Sequence, residues 1–82
     1  MKFILTEHAK KRCSQRKIKI EWIQYVIDNP LRIDSDAEDD CLVHVLSPIS
    51  EKGFQMLRVI YNETVEPFTV VTAYFENEVI FP

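Results

Sequence analysis

Lys11, Arg12 and Gln15 fall three, four and seven residues after His8, so on a helix the four form one polar, cationic stripe. Imidazole titrates near neutral pH, and guanidinium presents planar, forked donors that match phosphate or carboxylate oxygens. A second polar set lies in the later β-rich segments. Arg58 interrupts the apolar alternation of residues 54–62, which places Leu57, Val59 and Tyr61 on one side and Met56, Arg58 and Ile60 on the other. In residues 68–75, Val71, Ala73 and Phe75 form the more apolar set, opposite Val70, Thr72 and Tyr74. With the strands suitably aligned, Arg58, Thr72, Tyr74 and His44 converge on one face. A register slip of one residue would separate them.

Each of these residues also has an ordinary structural role. An arginine in a short antiparallel strand usually pairs across the sheet or points to solvent, a lone tyrosine usually fills a core or its rim, and threonine is a good β-former. His44, beside an acidic turn, fits a partly buried or carboxylate-paired imidazole. No compact His/Asp/Glu ligand cluster is visible, and the acidic residues 34–40 lack the glycine and spacing of a calcium loop. No metal or other cofactor is therefore expected. Cys13 and Cys41 form no Cys-x-x-Cys pair and are expected to be free thiols.

The net charge of −3 over 82 residues conceals a division. Through Arg32, eight basic residues face three acidic ones, a net of +5; from Ile33 onward, two basic residues face ten acidic ones, a net of −8. Such asymmetry steers a polyanion to one face, while the acidic total argues against indiscriminate coating of nucleic acid. The first residues turn polar at Thr6-Glu7-His8, too soon for a signal sequence or a membrane span, so a cytoplasmic location without membrane association is expected.

The elements that must position these side chains follow from periodicity. Thr6 followed by Glu7 reads as an N-cap with an acid in the first turn, opening a helix over residues 7–16 whose apolar line is only Ala9 and Cys13. Ile20, Trp22, Ile23, Val26 and Ile27 mark a second, strongly amphipathic helix over 20–28, stopped by Asn29-Pro30. Short strands are expected at 3–5 and 31–33, longer ones at 41–46, 54–62 and 68–75, with loops at 47–53 and 63–67 and an extra edge strand or packed tail at 79–81. The expected fold is one α+β domain spanning residues 1–82, with two N-terminal helices on a three- to four-stranded antiparallel sheet.

His8-Ala9, Arg12, Arg16 with Ile18 two positions on, the Asn29-Pro30 stop, Leu57-Arg58-Val59 and Val71-Thr72-Ala73-Tyr74 together resemble the small bacterial family called domain of unknown function 4258. The resemblance spans nearly the whole chain, and its specificity lies in the order of these short pieces. The family usually has glycine where Lys17 stands. It is similar to the barnase, EndoU, colicin and RelE group of nucleases, many of them toxins that cut RNA without metal. The resemblance implies a catalytic set of His8, Arg12, Arg58, Thr72 and Tyr74 bordering one cleft, with Lys11 and Arg16 on the substrate path. The implied reaction is attack of a ribose 2'-OH on the adjacent phosphate, with RNA as substrate and a cognate antitoxin-like protein as a further partner. A noncatalytic RNA- or protein-binding module using the same cleft, and a plain oligomeric scaffold, are the competing expectations.

Overall fold

The computed structural model describes residues 2–76. Its elements, in order, are β1 (Phe3–Leu5), α1 (Glu7–Gln15), α2 (Ile20–Asp28), β2 (Arg32–Ser35), β3 (Leu42–Ile49), a short 3-10 turn (Ser50–Lys52), β4 (Gln55–Asn62) and β5 (Phe68–Phe75). The suggested segment at 79–81 lies outside the described residues.

Five strands form one mixed sheet in the order β1-β5-β4-β3-β2. This corrects the expected three- to four-stranded antiparallel sheet: β2 to β5 form an antiparallel meander, but β1 pairs with β5 in parallel, Phe3 opposite Phe68 and Leu5 opposite Val70. Two helices and three strands separate the two partners in sequence, ample chain for the return that a parallel pairing requires. The alternation along β1 agrees with its edge position, since Phe3 and Leu5 lean on the core while Ile4 is exposed.

Both helices cover the same face of the sheet. Ala9, Cys13, Ile18, Trp22, Ile23, Val26 and Ile27 pack against Val45, Ile49, Leu57, Val59, Tyr61, Val70, Ala73 and Phe75. Burial of this set is the main favourable term in folding so short a chain. The Trp22 ring meets Phe75 edge-on, and its indole N–H donates to the Glu51 carboxylate at 3.0 Å, so the polar handle of this core aromatic is satisfied. The Glu51 carboxyl is held below its ordinary range by hydrogen bonds from Ser50 and then Trp22. The buried Ser47 hydroxyl donates to the Asn29 carbonyl at 3.0 Å, tying the end of α2 to β3.

Two local departures from the sequence reading have clear causes. β3 continues through Pro48 to Ile49, where a loop was expected from residue 47. Pro48 lies past Leu46, the last β3 residue in the β2–β3 register, so one flank of the strand is unpaired there and a missing N–H is tolerated. A β-bulge at Ile60/Tyr61 pairs Ile60 with Thr72 but Tyr61 with Val70, leaving Val71 as the extra residue. Val70 therefore joins Ala73 and Phe75 in the core, and Val71, assigned to that set by simple alternation, does not.

The joint between the helices is a Schellman turn. After Arg16, Lys17 N–H bonds to the Ser14 carbonyl at 3.2 Å and Ile18 N–H to the Cys13 carbonyl at 2.9 Å, with Lys17 in the left-handed region at φ 57°. Ile18 is buried against the core beside Cys13, the apolar contact that accompanies this motif. The left-handed conformation thus persists with lysine where glycine is usual. A Cβ there costs on the order of 1 kcal/mol. Lys17→Gly should stabilise the domain by about that amount and raise the melting temperature by about 4–8 °C. Urea and thermal melts that show no gain would mean that the lysine side chain compensates for its backbone.

Candidate functional site

The face of the sheet turned away from the helices carries the polar constellation. Across it, Leu46, Arg58 and Tyr74 are register partners, and so are Asp34, His44, Ile60 and Thr72. Leu46 and Ile60, 3 % and 8 % exposed, belong to this face and not to the core beneath the helices, so its polar groups stand in a partly apolar setting.

Arg58 occupies the middle of β4, with its side chain 16 % exposed. Its Nε donates to Glu76 Oε1, and its Nη1 lies 2.7 Å from His44 Nδ1. His44 Nε2 in turn lies 2.7 Å from Asp36 Oδ1. These contacts fix the imidazole tautomer: a guanidinium nitrogen only donates, so Nδ1 is the acceptor and the hydrogen sits on Nε2, directed at the Asp36 carboxylate. The chain Asp36, His44, Arg58, Glu76 thus alternates acceptors and donors without a mismatch. Asp36 is oriented in its turn by backbone N–H groups of Glu38 and Asp39 at 3.1 and 3.0 Å. Its carboxyl is held below the ordinary range, first by the hydrogen bond with His44 and next by the Glu38 amide.

Arg16 reaches this region from the end of α1. Its Nη1 donates to the Ala73 carbonyl at 2.9 Å and approaches Thr72 Oγ1 at 3.5 Å, while the guanidinium lies 5.9 Å from the centre of the Tyr74 ring. The β1–β5 register ends at Leu5 and Val70, so Ala73 lies on a stretch of β5 that has no strand on that side among the described residues. Arg16 supplies a donor to this open edge and so fixes α1 against β5.

Arg16, Arg58, Thr72 and Tyr74 therefore come together. His8, Lys11 and Arg12 are exposed on α1, and none of their side chains makes a hydrogen bond among the described residues. At 1.5 Å rise per residue, His8 stands ~12 Å and Arg12 ~6 Å back along the helix from Arg16. The stripe thus runs from the Arg16–Tyr74 cluster towards the start of α1. Thr6 accepts a 3.0 Å bond from the Ala9 N–H as the N-cap there, and its own N–H bonds to the Val70 carbonyl at 3.1 Å, which anchors that end to β5.

Sequence reasoning omitted Glu76 and Asp36. Carrying the alternation of Thr72 and Tyr74 one step further would have brought Glu76 to the same face. Asp36 sits in the acidic turn beside His44, and the carboxylate-paired imidazole considered for His44 is the arrangement found. Cys13 and Cys41 are free; burial pushes the Cys13 thiol upward, which disfavours the reactive thiolate. Among the described residues, no three His, Cys, Asp or Glu side chains gather as metal ligands, and no helix is long and apolar enough to cross a membrane.

The family model described as Domain of unknown function (DUF4258) matches residues 5–75. The chain belongs to the DUF4258 family. The match runs from the last residue of β1 to the last of β5, so the polar face of this DUF4258 domain lies within it except for Glu76, one residue beyond. No curated protein and no solved structure matches the chain.

The Asp36–His44 contact has a pH signature in this DUF4258 domain. Because the folded carboxyl is depressed, its contribution is fully present above the unfolded value of about 4 and disappears as pH falls below it. The stability difference between wild type and Asp36→Asn should shrink from about pH 4 downward in urea melts. A difference that does not change with pH would show that the carboxylate charge at Asp36 is immaterial.

Proposed function

We propose that this DUF4258 domain binds RNA along the face of its sheet opposite α1 and α2 and cleaves it as a metal-independent, toxin-like endoribonuclease. The observation that carries this reading is the gathering of Arg16, Arg58, Thr72 and Tyr74 in one patch, with Arg12 and His8 continuing the cationic stripe along α1. The kinship to barnase- and RelE-type nucleases belongs to the same proposal, and the two-helix, mixed-sheet architecture is compatible with it.

In the proposed reaction the ribose 2'-oxygen bonds to phosphorus and gives up its proton to a base. The bond from phosphorus to the 5'-oxygen breaks, and that oxygen takes a proton from an acid. The arginines stabilise charge on the nonbridging oxygens, while the Thr72 and Tyr74 hydroxyls donate hydrogen bonds. His8, ~12 Å along α1 from Arg16, is the proton-transfer group at a phosphate held by Lys11 and Arg12, while Arg16 and Arg58 hold neighbouring phosphates of a strand that runs along the stripe. The exposed Leu31 and Ile33 at edge strand β2 offer a surface for an antitoxin-like protein.

A noncatalytic binding module is the second reading. It is favoured by the engagement of Arg58 with Glu76 and His44, and by the lack of an orienting partner for His8 among the described residues. Cleavage of a labelled single-stranded RNA in EDTA, with binding followed by fluorescence anisotropy, separates the two. Wild type should cleave, and Arg58→Ala, Tyr74→Phe and His8→Ala should each slow cleavage by about 10²-fold or more. Undiminished cleavage by both Arg58→Ala and His8→Ala would reject the catalytic assignment. Binding without cleavage by wild type would establish the module.

A further inference from the structure

We infer that Glu76 is an internal occupant of an anion site on Arg58, and that an incoming phosphate group displaces it. The inference rests on the reading of this face as a phosphate-binding surface and adds how access to it is controlled.

The two partners of the guanidinium differ in kind. His44, with its hydrogen on Nε2 against Asp36, offers Arg58 only a neutral lone pair, so it orients the guanidinium without cancelling its charge. Glu76 is the anionic partner. The setting also forbids simple departure of that anion: Leu46 lies opposite Arg58 in the register and Ile60 lies two residues along β4, both almost fully buried on this face. An unpaired guanidinium among such neighbours is costly, so loss of one carboxylate is offset only by arrival of another anion.

The partners differ in anchorage as well. Arg58 is paired on both sides, with Leu46 of β3 and Tyr74 of β5, and His44 is likewise central. Glu76 follows Phe75, whose pairing with Leu57 is the last of the β4–β5 ladder. Arg58 and His44 are thus held by the sheet, whereas Glu76, just past the last β4–β5 pair, has no ladder partner among the described residues. Its departure frees the Arg58 Nε–H beside Tyr74, the register partner on the same face. A tetrahedral oxyanion there meets a forked cation held in place by His44, with Arg16 beyond the Tyr74 ring.

Inorganic phosphate is the probe, titrated against wild type, Glu76→Gln, Glu76→Ala and Glu76→Gln/Arg58→Gln, with the Arg58 Nε–Hε resonance followed by NMR. Both single variants should bind phosphate about tenfold tighter than wild type, with the shift centred on Arg58, and the double variant should lose that gain. The alanine variant tests the same exchange should glutamine's remaining hydrogen bond hold the guanidinium. Equal affinity in wild type and both single variants, or a gain that survives removal of Arg58, would overturn the inference. Cleavage of RNA is scored separately. A wild type inactive on RNA whose Glu76 variants gain phosphate refutes the nuclease reading alone, whereas an active one whose Glu76 variants gain nothing refutes the internal occupant alone.

Discussion

The three-residue turn from Arg16 to Ile18 is the joint on which the rest of the molecule depends. Its two backbone hydrogen bonds close the end of α1, its left-handed residue reverses the chain, and Ile18 enters the core as α2 begins. The same geometry leaves Arg16 at the point where its guanidinium meets the Ala73 carbonyl. One backbone feature therefore determines where α2 lies over the sheet and where a cation reaches the opposite face. That lysine is tolerated at its centre shows that packing on both sides outweighs a local backbone penalty.

Much of this arrangement was legible because strong periodicities coincide with burial. The apolar recurrence from Ile20 to Ile27 identified α2, Thr6 marked the start of α1, and Arg58 stood out because β4 alternates so regularly around it. The features that escaped depend on contacts distant in sequence. Whether Phe3–Leu5 runs parallel or antiparallel depends on where the chain returns. Pro48 reads as a strand breaker unless one knows that β2, which starts opposite Leu46, does not reach beside it. Glu76 escaped because the strand pattern stops at Phe75, although its side chain belongs to the cluster.

The sheet separates two kinds of cohesion. Beneath the helices, aliphatic and aromatic side chains exclude water. On the other face, a line of alternating donors and acceptors crosses from the acidic turn after β2 to the end of β5, interleaved with Leu46 and Ile60. A polar line of this kind is geometrically specific, since replacing any member leaves its neighbour without a partner in a poorly hydrated place. The division of charge along the sequence acquires a spatial meaning here: α1 supplies a row of cations ending at Arg16, and acidic residues from the later segments hold the histidine and arginine of the sheet.

The bulge at Val71 has a consequence for comparing chains of this family. It works as a phase shift within β5, advancing the alternation by one residue so that Val70 below and Thr72 and Tyr74 above each meet their proper surroundings. A relative without the extra residue, sharing the same core valine, must carry its hydroxyl pair one position earlier to present it on the same surface. Equivalence of residues across this strand is therefore a matter of facing direction, and alignment columns on either side of the bulge belong to different frames.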